Sequence, residues 1–157
     1  MAATLVLGYD GSDCAKKALK HAAELAGHMA DASVLVVYAF EFSVGYVPTG
    51  MTDSPLMMSA EFDEHVQLVR GFGEQQVKAA KAELEKAGVA ATTLVAEGRP
   101  VEALLDAATK HKAEMIIVGS HGQGAMSAAF MGSTALKLLH HSDVPVLVVP
   151  WHHDHSR

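Results

Sequence analysis

Five short apolar runs, rich in β-branched residues, alternate along the chain with longer segments in which apolar residues recur every three or four positions. The short runs lack the polar–apolar alternation of a half-exposed strand. This pattern favours strands that are buried on both faces of a parallel sheet. The predicted strands cover Thr4–Tyr9, Ser33–Phe40, Thr92–Ala96, Met115–Val118 and Val144–Val149.

The longer segments predict four helices, and local signals mark several of their ends. Ser12 is suited to cap the first helix, Gly88 to end the second and Pro100 to open the third. Gly71 and Gly73 lie inside the second segment, where each glycine costs about 1 kcal/mol of helix stability, so we expect a bend or break there. The first predicted helix follows Ser12, and the other three cover residues 62–88, 100–111 and 132–141.

Alternating strands and helices predict an α/β fold with a single open five-stranded parallel sheet, helices on both faces and right-handed crossovers. We expect one domain over residues 1–150, followed by a histidine-rich tail over 151–157. The segment Glu41–Ala60 lacks periodicity and is predicted to be a long loop, of a length that is usually functional or disordered. Its methionines suit irregular apolar surfaces, so it could fold over a ligand, pack at a dimer contact or bind another protein.

Composition and charge exclude several classes of protein. The chain has 157 residues, half of them apolar, and its net charge of −6 argues against nucleic acid as the main partner, because such binding needs a basic face. One cysteine allows neither an internal disulfide nor a cysteine-based metal site. No secretory signal is visible, so we expect a cytoplasmic protein. Met115–Leu136 carries no Asp, Glu, Lys or Arg, but its four glycines argue against a membrane helix.

Two predicted strand ends are rich in glycine. The first strand runs into Gly8–Ser12, the fourth into Gly119–Gly124, and Gly132–Thr134 follows where the fourth helix opens. Open α/β sheets bind ligands beyond the carboxyl ends of their strands, at the point where the strand order reverses. Glycines let a backbone approach an anion closely, and the N–H groups at a helix start carry partial positive charge. His121 could contact a phosphate, and the Asp10 carboxylate could accept ribose hydroxyls or help to hold a metal ion.

Spacing excludes three familiar motifs. The chain contains no Gly-Lys pair, which excludes a P-loop hydrolase. The first strand–helix turn has glycines at Gly8 and Gly11 only, which is not the G-x-G-x-x-G pattern of a dinucleotide site. A G-x-S-x-G elbow is also missing, and this argues against an α/β-hydrolase.

The glycine spacing resembles a known family. Gly119-x-x-Gly122, nine residues, and then Gly132-Ser133 is similar to the G-2x-G-9x-G-[ST] signature of the ATP-binding branch of the universal stress proteins. The first strand ending in Asp10, the Gly98-x-Pro100 turn and the closing Val144–Val149 run resemble that family too. The resemblance covers essentially the whole chain.

This resemblance implies an adenine-nucleotide α-hydrolase-like fold with strand order 3-2-1-4-5, and a homodimer in which the last strands, Val144–Val149, pair. It also implies a site for ATP, or for ADP, AMP or cAMP, where Mg²⁺ could bind together with the nucleotide. The residues at the matching positions, together with the neighbouring loop positions, are Gly8, Tyr9, Asp10, Ala39, Gly119, Ser120, His121, Gly122, Gln123, Gly124, Ala125, Gly132, Ser133, Thr134 and Ala135.

Two departures from the family pattern keep three functions open. Many ATP-binding members have Ser or Thr at the position of Ala135, and relatives often place a basic residue in the segment that is Gln123–Met131 here, which has none. The first function is a non-enzymatic adenine-nucleotide-binding module that acts as a dimer in the stress response. The second is a slow, Mg²⁺-dependent ATPase. The third is a dimeric scaffold without nucleotide. Fast phosphoryl transfer is not expected, because the loops supply no Lys or Arg to neutralise charge.

Overall fold

Strand and helix alternate throughout the described chain. The computed structural model describes residues 2–41, 55–122 and 131–151, with side chains described from residue 62 onward in the second range. The strands are β1 (Thr4–Gly8), β2 (Ser33–Phe40), β3 (Ala90–Glu97), β4 (Met115–Gly119) and β5 (Val146–Val149). The helices are α1 (Asp13–Gly27), α2 (Pro55–Lys86), α3 (Pro100–Lys110) and α4 (Ser133–His141).

The five strands form one parallel sheet in the order β3-β2-β1-β4-β5, which confirms the predicted fold class and strand order. In the central strand β1, Leu5 is aligned with Val34 of β2 on one side and with Met115 of β4 on the other. After β3 the chain crosses to the opposite side of β1. The strand order therefore reverses between β1 and β4, and this is where an open α/β sheet forms its ligand crevice.

Helices cover both faces of the sheet. Leu7 and Val36 belong to the core that α1 and α2 close, and Val6 and Leu35 belong to the core that α3 and α4 close. The central strands therefore have no polar face, as their apolar runs predict. Strand β3 is different, because it lies at the edge of the sheet and residues 92–94 are exposed. Burial on both faces was a wrong prediction for this strand.

Helix α2 is unbroken over 32 residues, so the predicted bend or break at Gly71 and Gly73 was wrong. Gly73 is buried, and a Cβ at this position would lie 2.5 Å from Cδ1 of the Tyr38 ring in β2. The absence of a side chain therefore lets the helix pack closely on the sheet, and this packing outweighs the poor helix propensity.

The predicted loop Glu41–Ala60 ends earlier than expected, because α2 begins at Pro55. The last six residues of the predicted loop are therefore helical. A proline is well placed there, since the first turn of a helix needs no N–H donor at that position. Residues 42–54, which include most of this segment, lie outside the described residues.

Strand β5 begins at Val146, two residues later than predicted, although it forms the edge next to β4 as expected. The Ser142 hydroxyl donates to the Val144 carbonyl at 2.7 Å, and its oxygen accepts the Val144 N–H at 3.2 Å. These local bonds accompany a bend at residues 143–144, and the extended strand begins only after it. Pro145 then supplies no N–H of its own.

The other predicted boundaries, including both ends of the longer β3, agree with the structure to within two residues. Ser12 caps α1, and its hydroxyl oxygen accepts the Ala15 N–H at 3.1 Å. Pro100 opens α3, and α4 ends at His141. No helix in the described ranges has the length and apolar character that crossing a membrane requires.

Candidate functional site

A cleft of about 540 Å³ opens at the carboxyl ends of β1 and β4, where the strand order reverses. Twelve of the fifteen residues predicted for nucleotide binding line it. They are Gly8, Tyr9, Asp10, Ala39, Gly119, Ser120, His121, Gly122, Gly132, Ser133, Thr134 and Ala135. The other three, Gln123, Gly124 and Ala125, lie outside the described residues.

The amino end of α4 borders the cleft. Gly132 is the N-cap residue, and no side chain caps this helix. The Gly132 N–H donates to the Ser120 carbonyl at 2.6 Å, and a Cβ at Gly132 would lie 3.0 Å from the same oxygen. The N–H groups of Ser133, Thr134 and Ala135 have no acceptor within the helix. The cleft therefore holds the partial positive end of a helix, which favours an anion.

The β1–α1 turn also contributes to the cleft, and Asp10 is part of its lining. The Ser12 N–H donates to Asp10 Oδ1 at 2.9 Å, and Gly11 adopts a φ of 80°, a region that favours glycine. A Cβ at Gly122 would lie 2.8 Å from Asp10 Oδ2, so the loop after β4 passes close over this carboxylate, and a side chain there would displace it. Asp10 is the only carboxylate among the described residues that line the cleft.

Ser120 and His121 lie side by side in the cleft lining, and both are buried, with exposed fractions of 7% and 8%. Ser120 Oγ lies 2.7 Å from His121 Nδ1, and it accepts the Trp151 N–H at 3.0 Å. Ser120 Oγ also lies 3.8 Å from Sγ of Cys14, and the Cys14 thiol donates to the Val149 carbonyl at 3.5 Å. The cleft lining is thus joined to α1 and to the segment after β5.

The charge distribution in the cleft is one-sided, since none of the described lining residues is Lys or Arg. Burial is the main cause that raises the pKa of Tyr9 above 10.0, and the charges of Asp10 and Glu83 add to it. Burial, followed by the charge of Asp10, also raises the pKa of Tyr38 above 10.0. Among the described residues, no group of three or more His, Cys, Asp or Glu could hold a metal ion.

Seven lining residues were missed in the sequence, and all are apolar or aromatic: Ala15, Val37, Tyr38, Phe40, Pro100, Leu104 and Val118. Some could have been found from periodicity. Leu104 lies one helical turn after the predicted helix start, and the β2 residues flank the predicted Ala39. These side chains give the cleft the apolar walls that small-molecule sites usually have.

Two arginines near the cleft do not line it. Arg99 is exposed and pairs with Glu102 at 3.6 Å. Arg70 of α2 pairs with Glu97 at 3.8 Å, and its guanidinium carbon lies 5.5 Å from the centre of the Phe40 ring. Both guanidinium groups therefore lie outside the cleft lining and face glutamates.

Solved structures share this architecture. The chain superposes on the universal stress protein UspA from Lactobacillus plantarum with a TM-score of 0.79 and 18% identity, over 94% of this chain and 97% of the other. A universal stress protein solved in complex with cAMP matches with a TM-score of 0.63 and 22% identity, over 94% and 95%. The protein from Archaeoglobus fulgidus solved in complex with dAMP matches with a TM-score of 0.61 and 19% identity, over 95% and 98%. At these identities the likeness shows the common fold.

Sequence comparisons show the family itself. A universal stress protein from Thermus aquaticus, encoded in the 3′ region of a QAH/OAS sulfhydrylase, is 35% identical over 93% of this chain and 97% of its own length. Universal stress protein MJ0531 from Methanocaldococcus jannaschii is 31% identical over 92% of this chain and 80% of its own length. The model of the universal stress protein family matches residues 1–150. This chain therefore belongs to the universal stress protein family.

Proposed function

We propose that this chain is a stress-response module that binds ATP or a related adenine nucleotide, and that binding rather than catalysis is its activity. One observation supports this most directly: the amino end of α4, which no side chain caps, borders a cleft that Asp10 also lines. Such an arrangement offers N–H donors to a phosphate and a carboxylate to sugar hydroxyls. Two proteins of the same fold were solved in complex with the adenine nucleotides cAMP and dAMP.

The composition of the cleft lining does not support fast hydrolysis. Phosphoryl transfer needs groups that neutralise the charge developing on the phosphate, and no Lys or Arg lines the described cleft. A Mg²⁺ ion would be held by Asp10 together with the oxygens of the nucleotide, since magnesium is usually bound through one or two carboxylates and phosphates. Any turnover is therefore expected to be slow and dependent on Mg²⁺.

We further propose that the functional form is a cytoplasmic homodimer. Strand β5 is an apolar sheet edge, and such edges are usually paired or covered. A single cysteine, Cys14, suits a reducing compartment. Nucleotide occupancy would stabilise one conformation of the dimer, and the sequence segment 41–60 is the proposed contact for a protein partner.

The experiment that tests nucleotide binding uses the purified protein with nothing added. The protein is denatured and filtered, and the released small molecules are identified by mass spectrometry. We expect close to one adenine nucleotide per chain, and its mass gives the number of phosphates. Gly132→Val and Ser133→Ala are processed in parallel and should release much less, because they disturb the amino end of α4.

Gly27→Val is the matched control for Gly132→Val. A Cβ at Gly27 has no neighbour within 4 Å, whereas at Gly132 it meets the Ser120 carbonyl at 3.0 Å. The control should release as much nucleotide as the wild type. An empty wild-type protein that also shows no thermal shift with ATP and Mg²⁺ would contradict the proposed function and favour a dimeric scaffold without nucleotide.

A further inference from the structure

The hydrogen bonds of the buried cluster around Ser120 limit where the Ser120 hydroxyl hydrogen can point. The Trp151 backbone N–H can only donate, so Ser120 Oγ accepts from it. The hydroxyl hydrogen of Ser120 is then available to one of two neighbours, His121 Nδ1 at 2.7 Å or Cys14 Sγ at 3.8 Å. The distance to nitrogen is that of a strong hydrogen bond, whereas sulfur is a weak acceptor.

This assignment determines the tautomer of His121. When Nδ1 accepts the Ser120 hydroxyl, a neutral imidazole carries its hydrogen on Nε2. The Trp151 ring packs against the imidazole with a centroid distance of 5.8 Å and so limits its rotation. The Cys14 thiol remains satisfied, because it donates to the Val149 carbonyl.

The Nε2 atom of His121 is shielded from solvent and has no hydrogen-bond partner within the described part of the chain. Leaving a buried N–H unpaired is costly, so such a group calls for a functional explanation. His121 lines the cleft, and its Cα would lie 3.6 Å from a Cβ at Gly132, the N-cap of α4. The backbone of His121 therefore lies beside the helix end that favours an anion, and its imidazole carries an unpaired donor.

We propose that Ser120 fixes His121 as the Nε2–H tautomer, and that this N–H donates a hydrogen bond to a phosphate oxygen of the nucleotide bound at the amino end of α4. The inference rests on the proposed function and adds a ligand-binding role for one side chain. Ser120 is a positioning residue that acts through His121. The contact matters here because no Lys or Arg lines the described cleft, and the sequence of residues 123–131 contains none.

The test compares the binding of AMP and adenosine by titration calorimetry on the full chain. In His121→Phe the ring still packs against Trp151, but no donor remains. We expect AMP to bind about tenfold more weakly while adenosine binds as in the wild type, since one hydrogen bond to a charged group is lost. His121→Gln restores an N–H at a similar reach and should recover AMP affinity to within about threefold of the wild type.

The role of Ser120 is tested by the ¹⁵N chemical shifts of the His121 imidazole. In the nucleotide-free wild type, Nε2 should carry the hydrogen. Ser120→Ala should lose this preference and selectively weaken AMP binding. Cys14→Ala removes the other side-chain neighbour of Ser120, and it should leave both the tautomer and the ratio of AMP to adenosine affinity unchanged.

Specific results would overturn the inference. Equal losses of AMP and adenosine affinity in His121→Phe would show a packing role, and unchanged AMP affinity would show no role. A wild-type His121 protonated on Nδ1 alone would contradict the assignment at Ser120. If the wild type binds neither AMP, adenosine nor ATP, the proposed function and this inference both fail. If the wild type binds AMP and His121→Phe leaves the ratio of AMP to adenosine affinity unchanged, only the inference fails.

Discussion

At the scale of single residues, Asp10 sets the electrostatic environment of two tyrosines in the cleft. Its charge adds to the effect of burial in raising the pKa of Tyr9 and of Tyr38 above 10.0. Asp10→Asn keeps an oxygen that can accept the Ser12 N–H but removes the charge. We expect both tyrosines to ionise at lower pH in this variant, although still above the usual value because burial remains. Tyrosinate absorbance during an alkaline titration measures the change.

The same pKa shifts predict how stability depends on pH. A folded-state pKa above the unfolded value means that the folded protein binds more protons at alkaline pH. The stabilisation is therefore complete below about pH 10 and is lost as the pH rises through the folded-state values. Tyr9→Phe and Tyr38→Phe assign the two steps and should each flatten this loss. An alkaline titration identical in wild type and Asp10→Asn would contradict the electrostatic contribution.

At the scale of elements, helix α2 offers a matched pair of glycines. A Cβ at Gly71 has no neighbour within 4 Å, whereas at Gly73 it would lie 2.5 Å from the Tyr38 ring. We expect Gly71→Ala to stabilise the protein by up to about 1 kcal/mol through helix propensity. Gly73→Ala should destabilise it by about 1–3 kcal/mol, because α2 must move away from β2. Urea unfolding measures both, and equal effects of the two changes would contradict close packing at Gly73.

The pair also shows which parts of the fold the sequence could predict. Periodicity located every strand and helix because the apolar runs must be buried, and burial is a property of the pattern itself. The continuity of α2 could not be predicted, because it depends on the contact between Gly73 and Tyr38, residues 35 apart in the chain. The start of β5 was missed for a different reason: the Ser142 hydroxyl bonds locally to the Val144 backbone at a bend, which hydrophobic periodicity does not reveal.

At the scale of the whole molecule, topology explains why the cleft lining could be predicted. Glycine-rich ends of β1 and β4 meet once the strand order reverses between them, so the order alone brings Asp10 and Gly122 together. The burial of His121 could not be predicted in this way. It depends on Trp151, which follows a different strand and packs against the imidazole only in the folded chain.

The open edge of the sheet gives a prediction for the assembled protein. The Pro145 and Val149 carbonyls accept N–H groups from the β4 side, so the backbone of Val148 faces outward along β5. Val148→Lys places a charge on this edge and should convert a dimer into a monomer, as measured by sedimentation velocity. Circular dichroism verifies that the variant is folded, since the Val148 side chain is half-buried.

Leu68→Lys, a change at an exposed position on α2, should leave the dimer intact because α2 packs on β2 and β3, away from β5. A folded Val148→Lys protein that remains dimeric would show that the two chains do not pair through β5.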